Sequence, residues 1–285
     1  MARLILTILA AAGAVFAANI TVQYATVPKD EIERRLHSIE TSNIKREQVL
    51  LKLFETSGCT GEHLSEQVVK NVKAPNVICT LPGETDSSII VGAHFDFVDR
   101  GRGAVDNWSG SALLPSLYQS LDSVPRRHTM VFVGFTDEEK GLIGSKFYLH
   151  EMPPAAVAKI RAMVNMDSLG TSPTKVEIDR GDKFLLNALG IASQTFKLPL
   201  SVVNVHAVGR SDSDSFQDRH VPALSIHSLT RDTFPILHSP RDRMDAIHLD
   251  VYYDTYLLMR AYIAYLDQVL DSQDASQETA PAVVK

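Results

Sequence analysis

Polar side chains follow several short apolar runs of this sequence at the points where those runs end. These side chains are, in chain order, His94, Asp96, Glu138, Glu139 and Asp167, and the runs that they follow are 89–93, 130–135 and 162–166. Two further candidates lie in polar loops, Asp106 and His238. Ligands of open α/β sheets bind at the carboxyl ends of the strands, so these groups are expected to converge at one edge of a sheet.

The residue types in this set indicate metal chemistry. Two imidazoles with several carboxylates suit zinc and other borderline metals, whereas calcium takes oxygen ligands alone. Crowding the carboxylates together would be costly unless cations neutralise them. Neighbouring side chains on an extended backbone point to opposite sides, so one member of the pair Glu138 and Glu139 can hold a metal while the other faces an attacking water. Asp96 can orient His94 from behind, and Asp242, four residues after His238, is expected to act likewise.

The elements that must position these groups are visible as alternating patterns. Near-continuous apolar runs predict buried strands at 76–81, 89–93, 130–135, 162–166 and 223–226. Helical spacing predicts one or two helices within 28–54 and further helices at 111–121, 142–150, 154–161, 183–195 and 250–270. Pro115 predicts a late start or a kink in the first of these later helices. No Pro/Gly/Ser-rich linker separates the elements, which predicts a single α/β domain with a mixed, largely parallel central sheet and helices on both faces.

The composition is that of an ordinary globular protein. The 285 residues include 34 acidic and 28 basic side chains, giving a net charge of −6, and 45% are hydrophobic. Extensive disorder would need fewer apolar residues, and a nucleic-acid partner would need a basic surface. Both classes are therefore disfavoured.

The first 17 residues resemble a secretory signal peptide. Arg3 precedes the apolar stretch 4–12, and small residues lead to a predicted cleavage after Ala17. The whole uninterrupted apolar stretch, which includes the small residues after 12, is roughly 16 residues and shorter than the roughly 20 that span a bilayer, so no stable membrane insertion is expected. We predict a secreted or periplasmic chain with a signal peptide at 1–17, a folded domain at 28–271 and a flexible polar tail at 272–285.

The two cysteines, Cys59 and Cys79, are too few for a disulfide scaffold or a thiolate zinc site. In an oxidising compartment they could form a disulfide bond. Two separate buried thiols are the alternative, because the sequence does not give the distance between them.

Seven motifs of the sequence occur together in the order found in one family. They are NVICTLPG, GAHFD, GAVDNWSG, FTDEEKGLIGS, NMDSLG, SDSDSF with VPALSIHS, and HSPRD. On these motifs, which extend over about two thirds of the chain, the sequence resembles the co-catalytic zinc aminopeptidases, the family that includes bacterial secreted aminopeptidases, glutamate carboxypeptidase and the glutaminyl cyclases. Each motif alone is weak, but the ordered set is specific.

The resemblance implies a zinc peptidase-like catalytic domain of the phosphorylase/hydrolase-like fold that acts on peptides. By position, two zinc ions per chain would be held by five residues: His94 and Asp167 for one ion, Glu139 and His238 for the other, and Asp106 shared between them. Glu138 falls where the family has its general base. Asp96 falls where the family has the carboxylate that orients the first metal site.

Three positions depart from the family pattern. Leu237 stands where a Tyr is thought to help stabilise the oxyanion, and Ser213 stands where a His is frequent. Trp108 replaces a small residue, and it could either narrow a pocket rim or serve as a packing residue. Arg210 and Arg231 are of the type that holds a substrate carboxylate, but exposed arginines are common and the pattern assigns neither.

Two other functions fit the same scaffold. A glutaminyl cyclase would use one zinc and form an intramolecular amide, but such cyclases carry an insertion after the paired carboxylates, where this chain runs directly from Glu139 into KGLIGS. A metal-free interaction domain should have lost ligands, whereas all five and the base are present. A serine hydrolase is disfavoured because the sequence has no Gly-x-Ser-x-Gly elbow. We therefore expect a secreted exopeptidase, and an aminopeptidase before a carboxypeptidase or dipeptidase.

Overall fold

The computed structural model describes residues 4–8, 20–203 and 209–270. Its strands are β1 (Leu4–Ile8), β2 (Ile20–Tyr24), β3 (Leu64–Gln67), β4 (Asn76–Leu81), β5 (Ser88–His94), β6 (Thr129–Phe135), β7 (Ile160–Met166), β8 (Lys175–Glu177), β9 (Ser201–Val203) and β10 (Ala223–His227). Its α-helices are α1 (Lys29–Leu36), α2 (Asn43–Thr56), α3 (Ser109–Asp122), α4 (Ile143–Glu151), α5 (Pro154–Val157), α6 (Lys183–Phe196), α7 (Asp212–Gln217) and α8 (Leu249–Val269).

One eight-stranded sheet forms the centre of the protein, in the order β3-β4-β6-β5-β7-β10-β8-β9. The four central strands β6, β5, β7 and β10 run parallel to one another, as do β8 and β9, and the other neighbours are antiparallel. This arrangement confirms the predicted α/β fold with a mixed, largely parallel sheet.

Helices cover both faces of the sheet, which explains why its central strands are apolar along their whole length. On one face the buried side chains include Leu113 and Leu117 of α3 and Tyr262 of α8. On the other face Tyr148 of α4 and Phe216 of α7 pack together beside β6. The residues that leave the carboxyl ends of the strands are therefore the ones free to build a site.

Two helix predictions were wrong in detail. Helix α5 ends at Val157 rather than at 161, because β7 already begins at Ile160 and the Lys159 carbonyl accepts a hydrogen bond from the amide of Ser88. Helix α3 does not start late, because it begins at Ser109 and contains Pro115. Its first turn is held by tertiary hydrogen bonds, including one of 2.6 Å from the Ser111 hydroxyl to the His94 carbonyl, and these outweigh the local effect of proline.

The N-terminal region is joined to the sheet by a disulfide bond. It links Cys59, just after α2, to Cys79 in β4, which settles the alternative left open by the sequence. Strands β1 and β2 form a separate antiparallel ladder, and β1 lies within the predicted signal peptide. The predicted cleavage point at Ala17 and the tail 272–285 lie outside the described residues. Within the described ranges, no helix is long and apolar enough to cross a membrane.

Candidate metal centre

The carboxyl ends of three parallel strands bring together the side chains that the sequence singled out. His94 is the last residue of β5, which lies between β6 and β7. Glu138 and Glu139 follow β6, and Asp167 directly follows β7. Because the three strands are parallel neighbours, these groups meet at one edge of the sheet, as expected.

Asp96 connects two of these strand ends. Its two carboxylate oxygens accept hydrogen bonds from the backbone amides of Glu138 and Glu139, at 3.0 and 3.2 Å. One of the same oxygens lies 3.4 Å from Nδ1 of His94. Asp96 is only 1% exposed, so it fixes the turn that carries both glutamates and faces the back of the imidazole.

Asp106 lies between the two histidines. Its Oδ1 is 3.3 Å from His94 Nε2, and its Oδ2 is 3.2 Å from His238 Nε2. His94 Nε2 also lies 3.7 Å from Asp167 Oδ1, and His238 Nε2 lies 2.9 Å from Glu139 Oε2. The shared carboxylate therefore faces one imidazole and carboxylate on each side.

Two groups of possible ligand atoms result from this arrangement. One contains His94, Glu138 and Asp167, and the other contains Asp106, Glu139 and His238. Within each group the donor atoms lie within 4.8 Å of one another. Imidazole nitrogen and carboxylate oxygen are both donors that zinc accepts, so the donor chemistry fits a pair of divalent cations.

The electrostatics of the cluster also favour cations. Burial raises the pKa of Glu138 to about 10 and that of Glu139 to about 7. Burial opposes charge on His94, but the carboxylates around it, including Glu138 and Asp106, raise its pKa well above the usual value. The Asp106 carboxylate raises the pKa of His238 to about 9. A metal-free cluster therefore retains protons on carboxylates and imidazoles, and divalent cations would replace those protons.

Arg46 of α2 is a part of the site that the sequence analysis missed. Its buried guanidinium donates to the Phe95 carbonyl at 3.0 Å and to the Arg102 carbonyl. It also lies 4.1 Å from the centre of the Phe97 ring. These contacts hold the segment between Asp96 and Asp106 in place. Nothing in the spacing of α2 distinguishes this arginine from a surface arginine.

Asp242 has a different role from the one predicted. It does not orient His238, because both of its carboxylate oxygens are engaged by the loop that carries Asp106. Its oxygens accept hydrogen bonds from the backbone amides of Val105 at 2.7 Å and Asp106 at 3.3 Å. Asp242 therefore holds the backbone of the shared carboxylate in place.

Of the two roles left open for Trp108, the structure shows that of a packing residue. The side chain is fully buried, and its indole N–H donates to the Leu36 carbonyl at 2.9 Å. The tight turn 104–108 directs it toward α1 and away from the cluster. Of the other departures, Ser213 is buried with its hydroxyl 2.8 Å from that of Ser211, and Leu237 lies in the wall of the cavity described next.

A cavity of about 810 Å³ opens beside the cluster. Its two ends differ in charge. The carboxylate end contains Asp106, Glu138, Glu139 and Asp167. The cationic end contains Lys175, Arg180, Arg210 and Arg231, together with one carboxylate, that of Glu177 in β8.

His227 lies in the cavity wall and was not singled out by the sequence. Its Nδ1 accepts a hydrogen bond from the Leu229 amide at 3.1 Å, so the ring proton of the neutral form resides on Nε2. Burial lowers the pKa of His227 to about 4, which keeps the ring uncharged near neutral pH.

Comparisons with known proteins agree with the fold and with the positions of the motifs. A model of Peptidase family M28 matches residues 76–263. Leucine aminopeptidase 2 of Trichophyton rubrum is 31% identical over 159 residues, which are 52% of this chain and 32% of that protein. The matched segment therefore spans about a third of that relative's length.

Two solved structures share the fold. The Legionella pneumophila LapA aminopeptidase matches with a TM-score of 0.76 at 21% identity, over 85% of this chain and 72% of that one. The Macrostomum lignano glutaminyl cyclase matches with a TM-score of 0.70 at 16% identity, over 84% of this chain and 89% of that one. At such identities the likeness establishes a common fold and does not separate a peptidase from a cyclase.

Proposed function

Because the chain belongs to peptidase family M28, we propose that it is a zinc-dependent exopeptidase that removes amino-terminal residues from peptides. The observation that carries the proposal is the position of Asp106, whose two oxygens lie 3.3 and 3.2 Å from the imidazoles of His94 and His238. A carboxylate shared in this way is suited to two cations. The printed name of the Trichophyton rubrum relative, a leucine aminopeptidase, supports the choice of the amino terminus.

The proposed ligand set divides the cluster into two sites. His94 and Asp167 would hold one zinc, Glu139 and His238 would hold the other, and Asp106 would contribute to both. This division is supported by the motif positions and by the distances of His94 from Asp106 and Asp167 and of His238 from Asp106 and Glu139.

Zinc ions bound there would polarise a peptide carbonyl and lower the pKa of a bound water. Glu138, which lies in the cavity wall beside Asp167, would take a proton from the attacking water and return it to the leaving amine. Burial, with only 9% of Glu138 exposed, raises its pKa in the metal-free protein, and two bound cations would lower that pKa toward the range in which the carboxylate accepts a proton. Asp96 would keep both glutamates and the His94 ring in position.

The test is a metal titration combined with turnover. The purified protein is freed of metal with a chelator and then titrated with zinc while metal content and hydrolysis of leucine 4-nitroanilide are followed. We expect two zinc ions per chain and hydrolysis that appears with them. One zinc with cyclisation of a glutaminyl peptide would identify a cyclase, and no zinc uptake would leave an interaction domain.

We also propose that the chain is exported and cleaved near Ala17. The disulfide bond between Cys59 and Cys79 supports an oxidising compartment. Expression of the full sequence in a bacterial host should yield periplasmic or extracellular protein whose mass corresponds to a chain beginning at Ala18. An uncleaved chain retained in the cytoplasm would contradict the proposal.

A further inference from the structure

We infer that the preferred substrates are short peptides with a carboxylate on the leaving-group side of the scissile bond, held by Lys175 and Arg231 at the cationic end of the cavity. The inference rests on the proposed peptidase function and names the class of substrate for that same site.

The first observation is a row of side chains across three neighbouring strands. Ile226 of β10 pairs with Met166 of β7, and the Asp167 amide continues this ladder by donating to the Ile226 carbonyl at 2.8 Å. The next residue, His227, pairs with Lys175 of β8. Asp167, His227 and Lys175 all line the cavity, so the row runs from a carboxylate through an uncharged ring to a cation.

The second observation is that two of the four cations are free to bind a substrate. Arg180 lies 3.5 Å from Asp214, and Arg210 pairs with Asp218. Lys175 donates instead to two uncharged oxygens, the Ser172 hydroxyl at 2.5 Å and the Pro173 carbonyl at 3.0 Å.

Arg231 is exposed and lies in the same cavity wall. Within the described part of the chain, neither Lys175 nor Arg231 has a carboxylate partner. Two unpaired cations facing one cavity favour a ligand that carries a negative charge.

The third observation is the length of the row. Strands lie about 4.8 Å apart, so two steps place the backbone of Lys175 roughly 10 Å from that of Asp167. An extended peptide advances about 3.5 Å per residue, and the lysine side chain covers part of the remaining distance. The carboxylate would therefore lie one or two residues beyond the scissile bond, as in a dipeptide or tripeptide.

The charges also determine the direction of the peptide. The amino-terminal residue of an aminopeptidase substrate carries an ammonium group, which Lys175 and Arg231 would repel and the carboxylate end would attract. The opposite charge must then lie on the leaving-group side. A short peptide with a charge of each sign complements a cavity with two oppositely charged ends.

The test compares matched substrates that differ by one charge. Leu-Gly and Leu-Gly-Gly are compared with their carboxyl-terminal amides, and Leu-Asp-amide is compared with Leu-Asn-amide. We expect kcat/KM to be about tenfold higher for the free acids, mainly through KM, since a charged hydrogen bond is lost in the amides. If the preference appears only for Leu-Asp-amide, the source of the carboxylate is a side chain, and the inference that Lys175 and Arg231 hold a carboxylate stands.

In the double variant Lys175→Met with Arg231→Gln, the kcat/KM of each free acid should become about equal to that of its amide. The control is Lys52→Met, which removes an exposed cation of α2 outside the cavity and should leave the ratio unchanged. Equal kcat/KM within all three charged and uncharged pairs, or a preference that survives in the double variant, would overturn the inference. Leucine 4-nitroanilide carries no such carboxylate, so its hydrolysis by the unaltered protein tests the proposed function separately.

Discussion

The two ends of the cavity are built in different ways. At the carboxylate end, His94 is 1% exposed, and Asp96 behind it accepts two backbone amides. At the cationic end, Arg231 is exposed and unpaired within the described residues, and Lys175 contacts only uncharged oxygens. The positions of the candidate ligands at the carboxylate end are thus fixed by buried contacts. The charge that would select substrates is carried by groups that can change without disturbing that geometry.

The rigidity of the carboxylate end depends on residues that never face the cavity. Asp242 holds the backbone at Asp106, and Arg46 holds the preceding segment between Phe95 and Arg102. Arg46 lies outside the residues that match the family model. The N-terminal region of this chain therefore contributes to the candidate metal centre through contacts that the shared motifs do not contain.

The strongest way to break the carboxylate end is Asp106→Ala. Because Asp106 is the shared residue, both groups should lose zinc, and turnover should fall by more than about 10⁴-fold, which exceeds the effect of removing a general base. Metal content per chain, measured by mass spectrometry, checks this. Asp245→Ala, which removes an exposed carboxylate of the same region, should keep both ions. Retention of both ions in the Asp106 variant would remove that residue from the bridge.

A second change separates chemistry from metal binding. Glu138→Gln should keep the zinc content and lower kcat by roughly 10²- to 10⁴-fold, because the amide cannot accept the proton of the attacking water. Asp137→Asn is the matched control, since that carboxylate pairs with Lys140 at 3.0 Å. Turnover close to that of the unaltered protein in the Gln variant would exclude Glu138 as the base.

A third change tests the contribution of the N-terminal region. Arg46→Met should weaken zinc binding about 10- to 100-fold, the range typical for groups that support metal ligands. Arg46→Lys should recover little, because an ammonium group cannot reproduce the planar fork of a guanidinium. Competition with a chelator measures the affinity. Arg35→Met removes another buried arginine, which bonds to Ser116, and should lower stability while zinc affinity stays the same. Equal losses of zinc affinity in both variants would assign Arg46 a purely structural role.

The smallest expected effect is a pH dependence confined to the metal-free protein. Asp106 raises the pKa of His238 from 6.5 to about 9, so the ion pair stabilises the fold fully below pH 6.5 and is lost as pH rises through 9. Glu139 acts in the same direction at lower pH, because burial raises its pKa from 4.5 to about 7.

Thermal unfolding of the metal-free protein should therefore occur at lower temperature as pH increases over this range. His238→Gln should reduce the dependence of this unfolding temperature on pH. The zinc-loaded protein, whose imidazoles must be neutral, should show no such slope. An identical slope with and without zinc would contradict the assignment.

The central strands of the sheet were predictable because strands that are buried on both faces have near-continuous apolar sequences. Strands β5, β6 and β7 were placed within two residues of their bounds for this reason. The edge strands β3 and β9 were missed, because LSEQ and SVV are short and largely exposed and become strands only by pairing with a neighbour. Local sequence patterns thus predict the central strands whose ends carry the site residues. The edge strands form only through pairing with a neighbouring strand, so such patterns do not predict them.

The residues of the candidate site also fall into two groups, those that a local sequence pattern can suggest and those that depend on tertiary contacts. Polar residues at strand ends could be proposed from the sequence, because topology alone brings such residues together. The contributions of Arg46 and His227 could not be proposed, since each depends on contacts between distant segments. The role of Trp108 also stayed open at the level of sequence, because only its contact with α1 shows that the indole is buried in the packing and does not border the cavity.

Trp108 is the one tryptophan of the sequence, and its place gives the protein an internal optical probe. The indole lies two residues after Asp106, and the Arg46 guanidinium is 5.8 Å from the centre of its ring. Emission excited at wavelengths that tyrosine does not absorb therefore comes from this point alone. Any movement of the Asp106 loop or of Arg46 changes the surroundings of the emitting ring, so zinc uptake at the centre can be followed by fluorescence without an added label.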